Sequence, residues 1–251
     1  MSELNDITPY DNDSRQKGEQ VNEMFDAIAP KYDFMNHAMT FGIDHIWRRR
    51  AVNLLRRICP TPSYILDIAT GTADLAIMLA QQLDPIAVTG IDLSEEMLAR
   101  GREKVMEENL SSVISLHQAD CMQLPFPATS FDCITAAFGV RNFQDLPLGY
   151  AEMFRVMRPG GTVLIIELST PTSRLVKPLY SVYSHRLIPA VGRLVSKDKQ
   201  AYSYLPSSIE AVPQGEEMAK IMRDAGFTDV KFKTFTFGVC TVYYGKKPQN
   251  K

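Results

Sequence analysis

The chain has 251 residues, 45% of them hydrophobic and 22% charged, with a formal net charge of -2. That is enough for one large α/β domain with embellishments. The near-neutral charge, with basic and acidic residues interspersed, excludes nucleic acid as the main partner, and no apolar run approaches the ~20 residues that span a bilayer.

Residues 1–17, rich in Ser, Asn, Asp and Glu, read as a disordered tail without a secretory signal or Arg-rich presequence. From 18 to 58, apolar residues recur at helical spacing (Val21, Met24, Phe25, Ile28, then Trp47, Val52, Leu55) around a break at Pro30, which predicts an N-terminal helical cap. Arg48, Arg49, Arg50, Arg56 and Arg57 fall on its second helix, either as a solvated face or as a membrane-surface contact. Residues 59–173 alternate strands (63–68, 87–92, 113–118, 131–138, 162–168) with helices (73–83, 94–108, 145–157), the rhythm of parallel strands joined by right-handed crossovers. Residues 174–212 interrupt it with Tyr, Leu and Val among basic residues and prolines, and are expected to be an inserted lid. Residues 213–251 add a helix at 214–224 and two β runs, 229–237 and 239–246, separated only by Gly238, an antiparallel hairpin. The expected fold is α/β, a mostly parallel Rossmann-like sheet with helices on both faces, an N-terminal cap and a C-terminal hairpin.

The chemistry concentrates in Ile65-Leu66-Asp67-Ile68-Ala69-Thr70-Gly71-Thr72-Ala73-Asp74 and Gly90-Ile91-Asp92-Leu93-Ser94. Two strands each end in an acid, side by side at the carboxyl edge where a parallel sheet binds its ligand. Ala69, Gly71 and Ala73 keep side-chain bulk off the turn, and Gly71 takes a positive φ at no steric cost. Asp92 has two oxygens for a pair of ribose hydroxyls. Asp67 suits an ammonium group, and Thr72 with the helix start behind it suits a carboxylate. An amino acid joined to a nucleoside, as in S-adenosylmethionine, meets these demands better than a pyrophosphate does. Ala69 and Asp74 stand where a G-x-G-x-x-G dinucleotide site wants glycine, which argues against hydride transfer. Cys59, Cys121, Cys133 and Cys240 form no C-x-x-C pair and have no histidine at ligand spacing, so free thiols in a reducing cytoplasm and no metal are expected.

The ordered landmarks resemble the class I S-adenosylmethionine-dependent methyltransferases. Two stretches narrow the likeness: Tyr32-Asp33-Phe34-Met35-Asn36 through Met39-Thr40-Phe41-Gly42 to Trp47, and Arg155-Val156-Met157-Arg158-Pro159-Gly160-Gly161-Thr162 through Glu167-Leu168-Ser169. With Phe138-Gly139-Val140-Arg141-Asn142 between them, the chain is similar to the ubiquinone/menaquinone biosynthesis C-methyltransferases from about residue 21 to 247. The first-loop wording is closer to the menaquinone branch. Three positions depart from that pattern: Ala137 replaces a serine, Asp44 stands where histidine is usual with His45 one place later, and Asp120-Cys121 replaces Asn-Ala.

The resemblance implies S-adenosylmethionine as cofactor and C-methylation of a polyprenylated quinol, demethylmenaquinol being favoured over the ubiquinone-pathway benzoquinol or a small soluble substrate. It implies cofactor contacts at Thr72, Asp92, Asp120 and Cys121, beside the Asp67 and Gly71 already read from the loop. It also implies catalysis by Arg141, a permanent cation for the developing ring oxyanion, with Asn142 orienting the hydroxyl. An ion pair of Arg141 with Asp145 or Glu152 is the competing structural reading. Tyr32, Asp33 and Tyr183 are substrate-side candidates, with capping or packing as the alternative for the first two. Leu175, Val176, Leu179, Tyr180, Tyr183, Leu187 and Ile188, interleaved with Arg174, Lys177, His185 and Arg186, suit a lid for an isoprenoid tail at a membrane surface, and equally a core or dimer interface. The expected setting is cytoplasmic, with peripheral contact at the inner face of the cell membrane and a homodimer.

Overall fold

The computed structural model describes residues 4, 7–10, 13–33, 40, 42–182, 184 and 199–249. Apolar runs become strands β1 (Tyr64–Ile68), β2 (Ala87–Asp92), β3 (Ile114–Gln118), β4 (Phe131–Ala137), β5 (Met157–Leu168), β6 (Thr228–Phe235) and β7 (Cys240–Lys246). They form one sheet of order β3-β2-β1-β4-β5-β7-β6. The first five pair in parallel, and β7 lies antiparallel between β5 and β6. The mostly parallel sheet, the closing antiparallel pair and the helical N-terminal segment all match the sequence expectation.

The helices are α1 (Lys17–Ile28), α2 (Ile43–Ile58), α3 (Asp74–Leu83), α4 (Glu95–Glu107), α5 (Leu146–Val156), α6 (Val176–Val182), α7 (Lys199–Ala211) and α8 (Glu216–Asp224). One sheet face buries Trp47, Val52 and Leu55 of α2 with Leu75 and Leu79 of α3; the other buries Tyr150 and Met153 of α5 with Met218 and Met222 of α8. Each such side chain contributes about 1.5–3 kcal/mol when fully withdrawn from water. Val21 and Met24 of α1 pack on Tyr204 of α7, and Leu4 is buried against the α5 side of the sheet.

Two boundaries in the sheet differ from the sequence reading by two residues or more. β5 begins at Met157 and not at Thr162, because Met157 pairs with Phe131 before a register shift carries Cys133 opposite Thr162. The hairpin turn is wider than a lone Gly238: the last pair is Phe235 with Cys240, and Thr236–Gly238 form a 3₁₀ turn with Phe237 left-handed at φ 56°. Arg48 also leaves the expected solvated face. It is buried, 2.5 Å from Asp44 and 3.6 Å from Asp74, with its guanidinium 5.1 Å from the Phe138 ring centre. Arg49 and Arg50 remain exposed.

Candidate functional site

The carboxyl ends of β1, β2 and β4 open into one cleft of about 720 Å³, part of it open to solvent. Its floor is the β1 loop, which carries three left-handed residues, Ala69 (φ 51°), Gly71 (φ 55°) and Ala73 (φ 66°). Sequence reading assigned that conformation only to Gly71; the two alanines accept its cost, about 1–2 kcal/mol per residue for an L-amino acid, with the smallest side chain available. The β4 loop closes against this floor so tightly that a Cβ on Gly139 would lie 2.4 Å from that of Ala69.

Both acids of the motif are engaged by the protein. Asp92 accepts from the Gly71 N–H (2.9 Å) and the Ser94 N–H (3.0 Å), one per oxygen, which leaves each oxygen a further lone pair on the cleft it lines. Burial raises its pKa against the pull of those N–H groups. Asp67 is buried behind the loop and does not line the cleft: its oxygens accept from the hydroxyls of Thr135 (2.6 Å) and Thr70 (2.7 Å). Loss of solvent pushes Asp67 up to about 6, with both hydroxyls opposing the shift. Thr72 is buried too, donating to Asp33 at 2.6 Å and lying 3.2 Å from the Lys104 ammonium. Lys104 also pairs with Asp33 (3.0 Å) and with Asp74. Burial works against its charge, but the two carboxylates outweigh it and hold its pKa above the ordinary value.

The far wall carries Asp120 and Cys121. Asp120 accepts from the Met122 N–H at 2.8 Å, and burial keeps the Cys121 thiol protonated. The roof is α1, through Gly18, Val21, Asn22 and Phe25, with Tyr32 edge-on to Phe25 at 5.9 Å between ring centres. Asp26 of α1 ties this roof to the β2 loop by accepting from the Ser94 hydroxyl at 2.5 Å.

At the β4 end Asn142 lines the cleft, and its Oδ1 accepts from the Tyr204 hydroxyl at 3.1 Å. Arg141 lies buried behind it. Its partner is neither Asp145, which caps α5 through the Leu148 N–H, nor Glu152, which pairs with Arg155; it is Glu167 at the end of β5, 2.8 Å away. Glu167 also accepts the Arg141 backbone N–H at 3.2 Å and the Leu168 N–H at 2.8 Å. Arg141 Nη1 donates to the Phe138 carbonyl as well, while its Nε is buried without a hydrogen-bond partner among the described residues.

Sequence reading missed Asn22, Asp26, Lys104 and Tyr204. Nothing in their local sequence marks them, since each matters through a partner on another element or through the roof that α1 makes. Glu167 had a signal, its place in the second signature, but no role. Tyr183 lies outside the described residues, as do residues 34–39, 41 and 185–198 of the first signature and the lid.

The ubiE/COQ5 methyltransferase family matches this chain over residues 13–247. The demethylmenaquinone methyltransferase of Bacteroides fragilis is 48% identical over 96% of this chain and 97% of its own length. The ubiquinone/menaquinone biosynthesis C-methyltransferase UbiE of Geobacter sulfurreducens is 44% identical over 92% of this chain and 90% of its own. The chain belongs to the ubiE/COQ5 methyltransferase family. Among solved structures, the cyclase SpnF shares the fold at TM-score 0.67 and 15% identity, covering 93% of this chain and 97% of that one. Phosphoethanolamine N-methyltransferase 2 of Haemonchus contortus, solved with S-adenosylhomocysteine, shares it at TM-score 0.61 and 18% identity over 80% of this chain and 53% of that one.

This family member is a methyltransferase, and its methyl donor is S-adenosylmethionine. The cleft fits that group in two respects. Its floor is bare backbone and small side chains, and Asn22, one of its lining residues, holds a buried Oδ1 with no donor among the described residues, an acceptor suited to a ligand N–H.

Proposed function

We propose that this enzyme C-methylates demethylmenaquinol to menaquinol, the last step of menaquinone biosynthesis, in the cleft between the β1, β2 and β4 loops and α1. S-adenosylmethionine, when bound, supplies an electrophilic methyl group on a sulfonium and requires no metal. Asp92 takes its ribose hydroxyls, Asp120, Cys121 and the Asn22 oxygen its base edge, and the Gly71 backbone its nucleoside. Asp67 and Thr72 act from behind the loop, the carboxylate through its charge on the ammonium and the hydroxyl by holding Asp33.

A ring carbon becomes nucleophilic when its neighbouring hydroxyl loses a proton, and a phenol-like group with pKa near ~10 is about a thousandth ionised at neutral pH. Arg141 is the residue that favours the ionised form. The observation that carries this assignment is its Nε, buried next to the cleft-lining Asn142 and without a hydrogen-bond partner among the described residues: such a donor calls for an explanation, and a ligand oxygen supplies one. Glu167 holds the guanidinium in place from the other side. Tyr204 occupies the Asn142 carbonyl, which leaves the Asn142 amide N–H groups to orient the ring oxygen. Tyr32, which lines the cleft, and Asp33, held by Thr72 and Lys104, are assigned to the substrate side, as is Tyr183 on the resemblance alone.

The test is Arg141→Gln beside Arg141→Lys. The glutamine variant lowers kcat far more than it raises either KM, because the cation matters most when the oxygen carries charge, and lysine restores part of kcat. A glutamine variant that turns over normally and only melts earlier assigns Arg141 to structure alone.

The same reading places the protein in the cytoplasm, with residues 174–212 as the lid over a polyprenyl tail, peripheral contact with the inner face of the cell membrane, and a homodimer in solution. Among the described residues no helix is long and apolar enough to cross a membrane. Sedimentation velocity reads the dimer directly.

A further inference from the structure

Three exposed apolar side chains stand on elements that converge at the carboxyl edge of the sheet, and none of them lines the cleft. Phe237 is 79% exposed, Leu175 83% and Ile46 50%. Their elements are joined by specific contacts. Trp47 Nε1 donates to the Thr236 hydroxyl at 2.7 Å, which ties the start of α2 to the hairpin turn. Ser169 donates to the Gly238 carbonyl at 2.8 Å, and the Gly238 backbone approaches Pro171 so closely that a Cβ on the glycine would lie 3.4 Å from the proline Cα. The segment leading to Leu175 therefore runs beside the same turn.

Nothing in folding rewards Phe237. It is an aromatic residue held in a left-handed backbone conformation, at φ 56° and ψ 19°, with its ring in water. Exposed cations stand on the neighbouring elements. Arg49 and Arg50 are exposed on the helix face that carries Ile46, three and four residues on, and the Arg50 guanidinium lies 5.9 Å from the Phe235 ring centre. Arg174 and Lys177 flank Leu175 and are exposed as well. Exposed apolar side chains with arginine and lysine on the same elements suit an anionic bilayer surface, where rings and aliphatic chains enter the acyl boundary and cations meet headgroups. The patch also leads inward: Trp47, next to Ile46, has its ring 6.2 Å from that of Phe138, which lines the cleft.

We infer that this face, built from the start of α2, the β6–β7 turn and the residues entering α6, docks the enzyme on anionic lipid, with Trp47 and Phe138 marking the way from bilayer to cleft. The inference rests on the quinol reading for why the enzyme needs a bilayer, and its own residues lie outside the catalytic and cofactor sets.

The experiment is vesicle co-sedimentation of the full chain with phosphatidylcholine alone and with phosphatidylcholine mixed with phosphatidylglycerol. It compares the wild type with Ile46→Ser/Phe237→Asn, where asparagine tolerates the left-handed backbone, and with Arg49→Gln/Arg50→Gln. The wild type binds the anionic vesicles and added salt weakens it. The apolar pair loses about tenfold or more in vesicle affinity. The arginine pair loses about fivefold per residue and most of its salt dependence. Both variants still methylate a tail-less demethylmenaquinol analogue in solution, and both slow on the tailed quinol carried in anionic vesicles. Wild-type vesicle binding in both variants overturns the inference. So does an apolar variant that turns a wild-type dimer into monomers in vesicle-free buffer, since a second copy then covers the patch. Failure of the wild type to methylate either quinol is a failure of the functional reading, and the vesicle comparison still decides the docking face.

Discussion

The two halves of the cleft are built differently. The cofactor half is a strand and a turn of small residues whose acids are held by neutral donors, Asp92 by the Gly71 and Ser94 N–H groups and Asp67 by the Thr70 and Thr135 hydroxyls. The substrate half is held by side-chain pairs between separate elements, Arg141 with Glu167, Asn142 with Tyr204, and Asp33 with Thr72 and Lys104. Charge meets neutral N–H and O–H groups in the first half and opposite charge in the second. The substrate half should therefore be the one in which a single substitution costs most.

Glu167 gives the sharpest test of that difference. It is buried and is the carboxylate facing the buried Arg141 cation. Glu167→Ala leaves that charge uncompensated and should lower stability by about 3–5 kcal/mol, the cost of breaking a buried pair. Glu167→Gln keeps an acceptor for Nη1 and should lose less stability, yet still lower kcat as the guanidinium shifts. Denaturant unfolding and kcat on the two variants read both effects. Equal stability of Glu167→Ala and wild type would remove the pair from the account of the substrate half.

On the cofactor side, Asp92→Ala should weaken S-adenosylmethionine by about 1.5–3 kcal/mol, the range for hydrogen bonds to a charged group. The fold should persist, with the β1 loop loosened because the Gly71 and Ser94 N–H groups lose their acceptor. Calorimetry that finds unchanged affinity in a folded variant takes Asp92 out of the site.

A smaller effect concerns Asp67. Its folded pKa of about 6 stands above the ordinary 3.8, so between those values the folded chain holds a proton that the unfolded chain has released. The contribution is fully present below about pH 3.8 and is lost as pH rises through about 6. The stability of wild type relative to Asp67→Asn should fall across that window and level off above it. A flat difference over the window would mean that the two threonine hydroxyls cancel the burial.

The contrast between the halves also explains what the sequence alone could reveal. Strand β2 is read to the residue, and the order of sheet and helices follows from periodicity, because those depend on neighbours along the chain. The cofactor loop is legible for the same reason. What needed coordinates was every pairing across the chain: Glu167 as the partner of Arg141 in place of Asp145 or Glu152, Lys104 beneath Asp33, and Arg48 drawn off its expected surface by Asp44 and Asp74. The hairpin turn was misjudged because nothing in Phe237 announces a left-handed residue, a conformation that short-range rules give to glycine or asparagine. β5 starts ahead of the apolar run at 162–168 because Met157 pairs with Phe131, a contact between residues 26 positions apart that no local pattern announces.

Incubating the enzyme with methyl-labelled S-adenosylmethionine and reduced demethylmenaquinol, alongside the 2-methoxy-6-polyprenyl-1,4-benzoquinol of the ubiquinone pathway, shows which quinol is methylated and at which atom. The account predicts label on a ring carbon of the naphthoquinol, with transfer to the benzoquinol slower. Label on oxygen, transfer to the benzoquinol alone, or none to either would contradict it.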